Sequence, residues 1–366
     1  MAYFAGLMSG TSMDGMDAVI IDEHNRLING HTFNYKEKTY QLLSRVVQNR
    51  HADLADIGTL HRTIAIEFAE SYNQLLSMSQ IQASDVAAIG FHGQTISHRT
   101  LEKPFYTYQL GCASTLAAET STTVVADFRS MDIALGGQGA PLAPLYHDYC
   151  FGRLQDRVAI VNIGGIANLS MFIDEQLVAG YDIGPGNCLM NSWIKAIQNV
   201  EFDKDGAWAA CGHVNQGLLK KLLKDHYFHL SGPKSVDREY FSLAWLKNQL
   251  KPGIPSEDVQ ATLLELTAMT IANQVQLFSP VNQLILCGGG VHNTQLNQRI
   301  SYLLPNTTVS PSSQFGINEN YLEAMMMAWL AKERLNQRAF NLASITGNPY
   351  PTMLGHVFIH PDKSVQ

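Results

Sequence analysis

The 366-residue chain is 46% hydrophobic and only 16% charged, so it can bury one large core or two ordinary ones, and a disordered scaffold is excluded. Its formal net charge of -7 and its lack of a dense Lys/Arg cluster argue against a nucleic-acid or membrane surface, since phosphate backbones need clustered cations. The expected ligand is small.

No basic n-region opens the chain, so no secretory signal is expected, and the longest apolar runs, such as 324–331, fall far short of the roughly 20 residues of a membrane helix. Cys112, Cys150, Cys188, Cys211 and Cys287 are scattered and form no C-x-x-C pair. They fit reduced, mostly core thiols and a cytoplasmic location.

In chain order, residues 2–7 and 17–22 read as strands joined by a polar turn over 9–15. A helix is expected over 62–78, where Ile64, Phe68, Tyr72 and Leu75 share one face. Strands over 86–91 and 122–128 follow. The pattern restarts at Arg157, with strands over 158–163, 167–173 and 177–183 and a glycine turn at Gly164 and Gly165. Helices over 187–199, 216–228 and 257–278 lead to a strand over 283–287, the triplet Gly288, Gly289 and Gly290, and a last helix over 321–335. Both halves thus open on a Gly-rich hairpin. The reading is a duplicated α/β architecture with a cleft between halves and a hinge candidate in the Pro/Gly cluster 136–144. The boundary is placed near residue 150: a first domain of 1–150 plus 320–366 and a second of 151–319.

Three glycine-rich sites point to phosphate chemistry. The turn Gly10, Thr11, Ser12, Met13, Asp14, Gly15, Met16, Asp17 combines hydroxyls, glycines and two carboxylates. Backbone N–H groups there can approach a phosphate chain closely, and Asp14 and Asp17 could hold Mg2+, directly or through water. An ordinary hairpin connector has similar composition. The second turn, from Asn162 through Gly164 and Gly165 to Asn168, repeats the character. The third, Gly288 to Gly290, follows a strand, where backbone can lie against adenine or ribose. No lysine stands where a Walker-type loop requires one.

These three sites in this order resemble the phosphate 1, phosphate 2 and adenosine motifs of the sugar kinase, Hsp70 and actin superfamily. Further stretches are similar to the anhydro-N-acetylmuramic acid kinases: residues 6–17, His92-Gly93-Gln94-Thr95, Asp127-Phe128-Arg129, Gly136 to Leu142, Asn162 to Asn168, and Asp182 to Asn187. The resemblance spans essentially the whole chain. It implies two actin-like (ribonuclease H-like) domains with an ATP/sugar cleft, ATP with Mg2+, and a reaction in which water opens the 1,6-anhydro bridge of anhydro-N-acetylmuramic acid while O6 takes the γ-phosphate. One departure stands out: Pro233-Lys234-Ser235-Val236-Asp237-Arg238-Glu239 has Asp237 where the family carries glycine, and no catalytic role is assigned to that loop.

Asp182 ends a strand ahead of a helix, where a single carboxylate can serve as base in phosphoryl transfer or water attack; a helix cap is the alternative. Asp127, Arg129 and Asp132 follow a buried strand, with Arg129 suited to the lactyl carboxylate of the sugar as a planar fork, or else to an internal salt bridge. His92, Gln94 and Thr95 form a polar cluster suited to sugar hydroxyls. Glu323, opening the last helix, resembles a family glutamate that orients sugar or water; stabilising the helix N-terminus is the alternative. Two rivals are a different carbohydrate or small-acid kinase of the same superfamily and a non-enzymatic actin-like ATP-binding protein. The expected partner is a small amino sugar, with a second copy of the chain as a candidate assembly.

Overall fold

Strands β1 (Tyr3–Ser9), β2 (Met16–Ile21) and β3 (Leu27–Phe33) form an antiparallel meander in which Phe4 faces Ile21 and Met8 faces Asp17. The computed structural model in which they are seen describes residues 2–10, 13, 15–49, 52–100, 102–154, 156–236 and 240–360. Thr11, Ser12 and Asp14 of the first turn, and Asp237, lie outside the described residues. β4 (Val86–Arg99) runs parallel to β1, β5 (Tyr106–Leu110) folds back antiparallel on β4, and β6 (Val124–Ala126) lies parallel to β4. The strand His356–Phe358 closes the far edge.

Both faces of this sheet are covered. Ala5 and Leu7 share a core with Leu60, Ile64, Phe68 and Tyr72 of the helix Leu54–Ser79. On the opposite face the helix Leu322–Leu335 lies so close that a Cβ at Gly6 would fall on the Ala324 carbonyl, and one at Gly90 on that of Met327. Glycine at Gly6 therefore serves helix packing. Met325, Met326 and Met327 are core filling.

The second half repeats the plan. β7 (Arg157–Ile163), β8 (Ile166–Ile173) and β9 (Gln176–Pro185) form an antiparallel meander, while β10 (Gln283–Cys287) lies parallel to β7 and β11 (Thr308–Pro311) parallel to β10. The spatial order is β3-β2-β1-β4-β6 in one sheet and β9-β8-β7-β10-β11 in the other. The same order and the same strand directions in two sheets make this a duplicated, mixed α/β, actin-like fold. The helix Ser256–Gln276 is buried along most of its length, with Leu263, Leu266 and Ile271 in the second core.

Two units result: residues 1–139, 321–342 and 348–366, and residues 140–320 with 343–347. The division falls between Gly139 and Ala140, inside the Pro/Gly cluster, rather than near residue 150. Other boundaries also differ from the sequence reading. Asp53 caps the first long helix, accepting from the Ala55 N–H (3.1 Å), so that helix starts at Leu54 rather than near Arg62. The strand expected to end at Phe91 runs on to Arg99 because β5 pairs with its second half. The segment expected as one helix over 216–228 splits into Gln216–Leu222 and a 3-10 turn His226–His229. Asp225 interrupts it, accepting from the Tyr227 N–H (2.9 Å) and the Tyr240 hydroxyl (2.8 Å). Among the described residues, no helix is long and apolar enough to cross a membrane.

Candidate active site

In the first unit the turn after β1 is braced from below by Gln94. This residue is fully buried, and its Nε2 donates to the Gly10 carbonyl (3.1 Å) while its Oε1 accepts from Ser9 Oγ (2.8 Å) and the Tyr35 hydroxyl (3.2 Å). Ser9 Oγ is also bonded to the Gly15 carbonyl (2.8 Å). The structure thus places Gln94 beneath the turn rather than in a loop open to a sugar. Met13 is left-handed (φ 59°) and its N–H closes the turn onto Gly10 (3.2 Å). Asp17, on β2 facing Met8, accepts from Thr32 Oγ1 (2.6 Å). Thr95 accepts from Gln109 Nε2 across the β4–β5 hairpin (3.1 Å).

A second cluster surrounds Arg129, which is half-buried. Its Nε and Nη2 both approach His92 Nε2, and its Nη1 donates to the Gly139 carbonyl (2.7 Å). Asp132 is fully buried, and its Oδ2 accepts from the Gly139 N–H (2.7 Å). Gly139 is therefore clamped at both backbone groups. Asp127 is exposed and left-handed (φ 56°); it accepts from the Ser130 N–H (3.2 Å) at the start of the short helix Ser130–Ala134 and lies 3.5 Å from His356 Nδ1. Asp132 and Asp127 thus hold main chain, and the Arg129 guanidinium is held between His92 and the Gly139 carbonyl.

In the second unit the registers align a polar row. Asn162 on β7 faces Asn168 on β8, and Asn168 faces Asp182 on β9, so the three side chains share one face of the sheet. All three are buried, and Asn168 Oδ1 has no hydrogen-bond partner among the described residues. The glycine turn beside this row packs on the helix Cys188–Gln198: Gly164 O accepts from the Asn187 N–H (2.8 Å) and Gly165 O from the Gly186 (2.9 Å) and Cys188 (3.1 Å) N–H groups. Helix-terminal donors that would otherwise be orphaned are satisfied by the turn itself.

Asp182 is not a cap of that helix, which begins after Asn187. Its carboxylate accepts from the Val236 N–H (3.0 Å). The segment from Pro233, to which sequence alone assigns no role, thus lies directly against Asp182. No local pattern announces this contact, because it joins residues far apart in the chain.

The third glycine site divides by position. Gly288 is left-handed (φ 79°) and a Cβ there would strike Asn162 Oδ1; a Cβ on Gly290 would strike Ile163. Gly289 is exposed and faces open space. A 3-10 turn, Gly289–His292, precedes the helix Thr294–Leu303. Glu323 occupies the first turn of Leu322–Leu335, half-buried.

The family model for anhydro-N-acetylmuramic acid kinase matches residues 2–360. An anhydro-N-acetylmuramic acid kinase of Legionella pneumophila (strain Corby) is 48% identical over 360 residues, covering 98% of each chain. One from Shewanella sp. (strain MR-4) is 42% identical over 363 residues, again covering 98% of each. Among solved structures, a ROK family glucokinase from Streptomyces griseus in complex with glucose and AMPPNP is similar at 13% identity, covering 91% of this chain and 100% of that one, with a TM-score of 0.42. With a match from end to end and close relatives over the full length, the chain belongs to the anhydro-N-acetylmuramic acid kinase family and is a phosphotransferase.

Proposed function

We propose that this kinase uses ATP and water to convert 1,6-anhydro-N-acetylmuramic acid to N-acetylmuramic acid 6-phosphate, a step of cell-wall recycling in the cytoplasm. Asp182 acts as the base. A water attacks C1 and gives its proton to the Asp182 carboxylate; the electrons of the C1–O6 bond pass to O6, which attacks the γ-phosphorus and releases ADP. The observation that carries this reading is the setting of Asp182: a buried carboxylate, in line with Asn162 and Asn168, aimed by the Val236 N–H. Phosphoryl transfer draws on the protein mainly for positioning and electrostatic stabilisation, and the attack of water at C1 adds the need for one base.

The turn 9–17 and the turn 162–168 hold the phosphates, the exposed face of Gly289 receives the nucleoside, and Arg129 takes the lactyl carboxylate. Thr95 and Glu323 are assigned to the sugar. Mg2+, when bound with ATP, neutralises charge on the phosphates. Asp17, near the start of β2, would supply one carboxylate to it, and Asp14 is proposed as the second on the sequence alone. The five free thiols suit a reducing compartment.

Mass spectrometry of the product tests the reaction: a gain of phosphate plus one water supports it, and phosphate alone would overturn the hydrolytic step. Asp182→Asn tests the base. The amide keeps the shape but accepts no proton, so kcat should fall by about 10² to 10⁴ with both substrates still bound. Near-normal turnover would remove Asp182 from the chemistry.

A further inference from the structure

β9 is an edge strand, and the backbone N–H and C=O of Asp182 both turn outward, away from β8. A bare edge there would leave the residue free to shift. Instead, three residues close a ring. The Tyr227 hydroxyl donates to the Asp182 carbonyl (2.8 Å), the Lys234 ammonium donates to the Tyr227 carbonyl (3.1 Å), and the Lys234 carbonyl accepts from the Asp182 N–H (3.0 Å). The ring is buried, with Tyr227 at 0%, Lys234 at 4% and Asp182 at 7% exposure. Lys234 Nζ also donates to the Leu230 carbonyl (3.0 Å) and stands 4.7 Å from the centroid of the Tyr227 ring.

Burying an ammonium is costly. Here burial draws the Lys234 pKa down to about 8, while the charge of Asp182 acts in the opposite direction. An apolar side chain of similar length would fill the space without that cost, but it could not tie the Tyr227 main chain to the loop.

We propose that Tyr227 and Lys234 are positioning residues for the reaction: their ring with Asp182 fixes the aim of its carboxylate and brings the Val236 N–H onto it. This rests on the reading of Asp182 as the base. Neither residue touches substrate in this role, so the effect belongs in kcat and not in binding.

Steady-state kinetics with ATP and anhydro-N-acetylmuramic acid on Tyr227→Phe, Lys234→Met, Asp182→Asn and the double variant Tyr227→Phe/Asp182→Asn provide the test. Each of the first two should lower kcat by about 10-fold or more with both KM values within about two-fold. In the Asp182→Asn background, Tyr227→Phe should cost nothing further, because the group it positions is gone. A ring that served only folding would lower Tm and leave kcat per folded molecule unchanged, and that result would overturn the proposal. Should Lys234→Met fail to fold, Tyr227→Phe, which deletes one oxygen, decides the matter alone. If Asp182→Asn turns over normally, the base assignment falls and this inference with it; if Asp182→Asn is inactive while Tyr227→Phe is normal, only this inference falls.

Discussion

Arg129 is joined to His92 through two nitrogens that converge on one acceptor: Nε at 3.1 Å and Nη2 at 3.0 Å both meet His92 Nε2. Burial, reinforced by the charge of Arg129, pulls the His92 pKa down to about 3. The imidazole is therefore neutral, with its proton on Nδ1 facing the Gly93 carbonyl (3.0 Å). His92 holds the guanidinium in place, which is a different task from touching the sugar.

His92→Phe removes that acceptor while keeping a ring of similar size. The sugar KM should rise about 10-fold, the scale of one hydrogen bond to a charged group, with the ATP KM unchanged. Arg129→Lys should do the same, since an ammonium cannot reproduce a planar two-point contact. A His92→Phe enzyme with normal sugar KM, set beside an impaired Arg129→Lys, would separate the two residues.

The glycine triplet separates a packing role from the proposed contact with the nucleoside. At Gly289, which faces open space, valine should leave Tm within a few degrees, as exposed substitutions do at about 0.5 kcal/mol or less, yet weaken ATP binding measured by calorimetry because the added carbons obstruct backbone approach. At Gly290 the same change meets Ile163 and should cost about 1–3 kcal/mol of stability. Unaltered ATP affinity in Gly289→Val would remove the nucleoside from this turn.

Gly6→Ala and Gly90→Ala probe the packing of the helix Leu322–Leu335 on β1 and β4. Each methyl would meet a helix carbonyl that cannot move alone, so unfolding in urea should show a loss of about 1–3 kcal/mol. A neutral result at both would show that the helix can lift away.

His147 is fully buried, its Nδ1 2.7 Å from Ser170 Oγ, and burial pulls its pKa to about 3. The unfolded chain binds a proton near pH 6.5 that the native state refuses. Stability is therefore fully present above about pH 6.5 and lost as pH falls toward 3, at up to about 1.4 kcal/mol per pH unit for each such group. His92 and His98, both also drawn to about 3 by burial, act in the same direction. In thermal melts from pH 8 to 4.5, His147→Gln should flatten the acid limb; an unchanged slope would show that His147 carries none of it.

Local pattern was enough for much of the fold. The apolar run ending at Cys287, the hairpin from Arg157 to Ile173 and the face of Ile64, Phe68 and Tyr72 depend on neighbours two to four residues away, and the sequence holds that information directly. The glycine-rich turns between strands were equally visible, because glycine there is a chemical signal in itself, whereas Asp182 stood out through the family resemblance rather than through its neighbours. Tertiary structure decided who meets whom. Strand β4 continues to Arg99 because β5 pairs with its second half, and Gln94 turns inward because Ser9, Gly10 and Tyr35 converge on its amide. Asn162, Asn168 and Asp182 share a face through the register of three strands, and Lys234 and Val236 reach Asp182 from a loop 50 or more residues away. Such contacts are set by which surfaces pack against each other, and no run of adjacent residues encodes that choice.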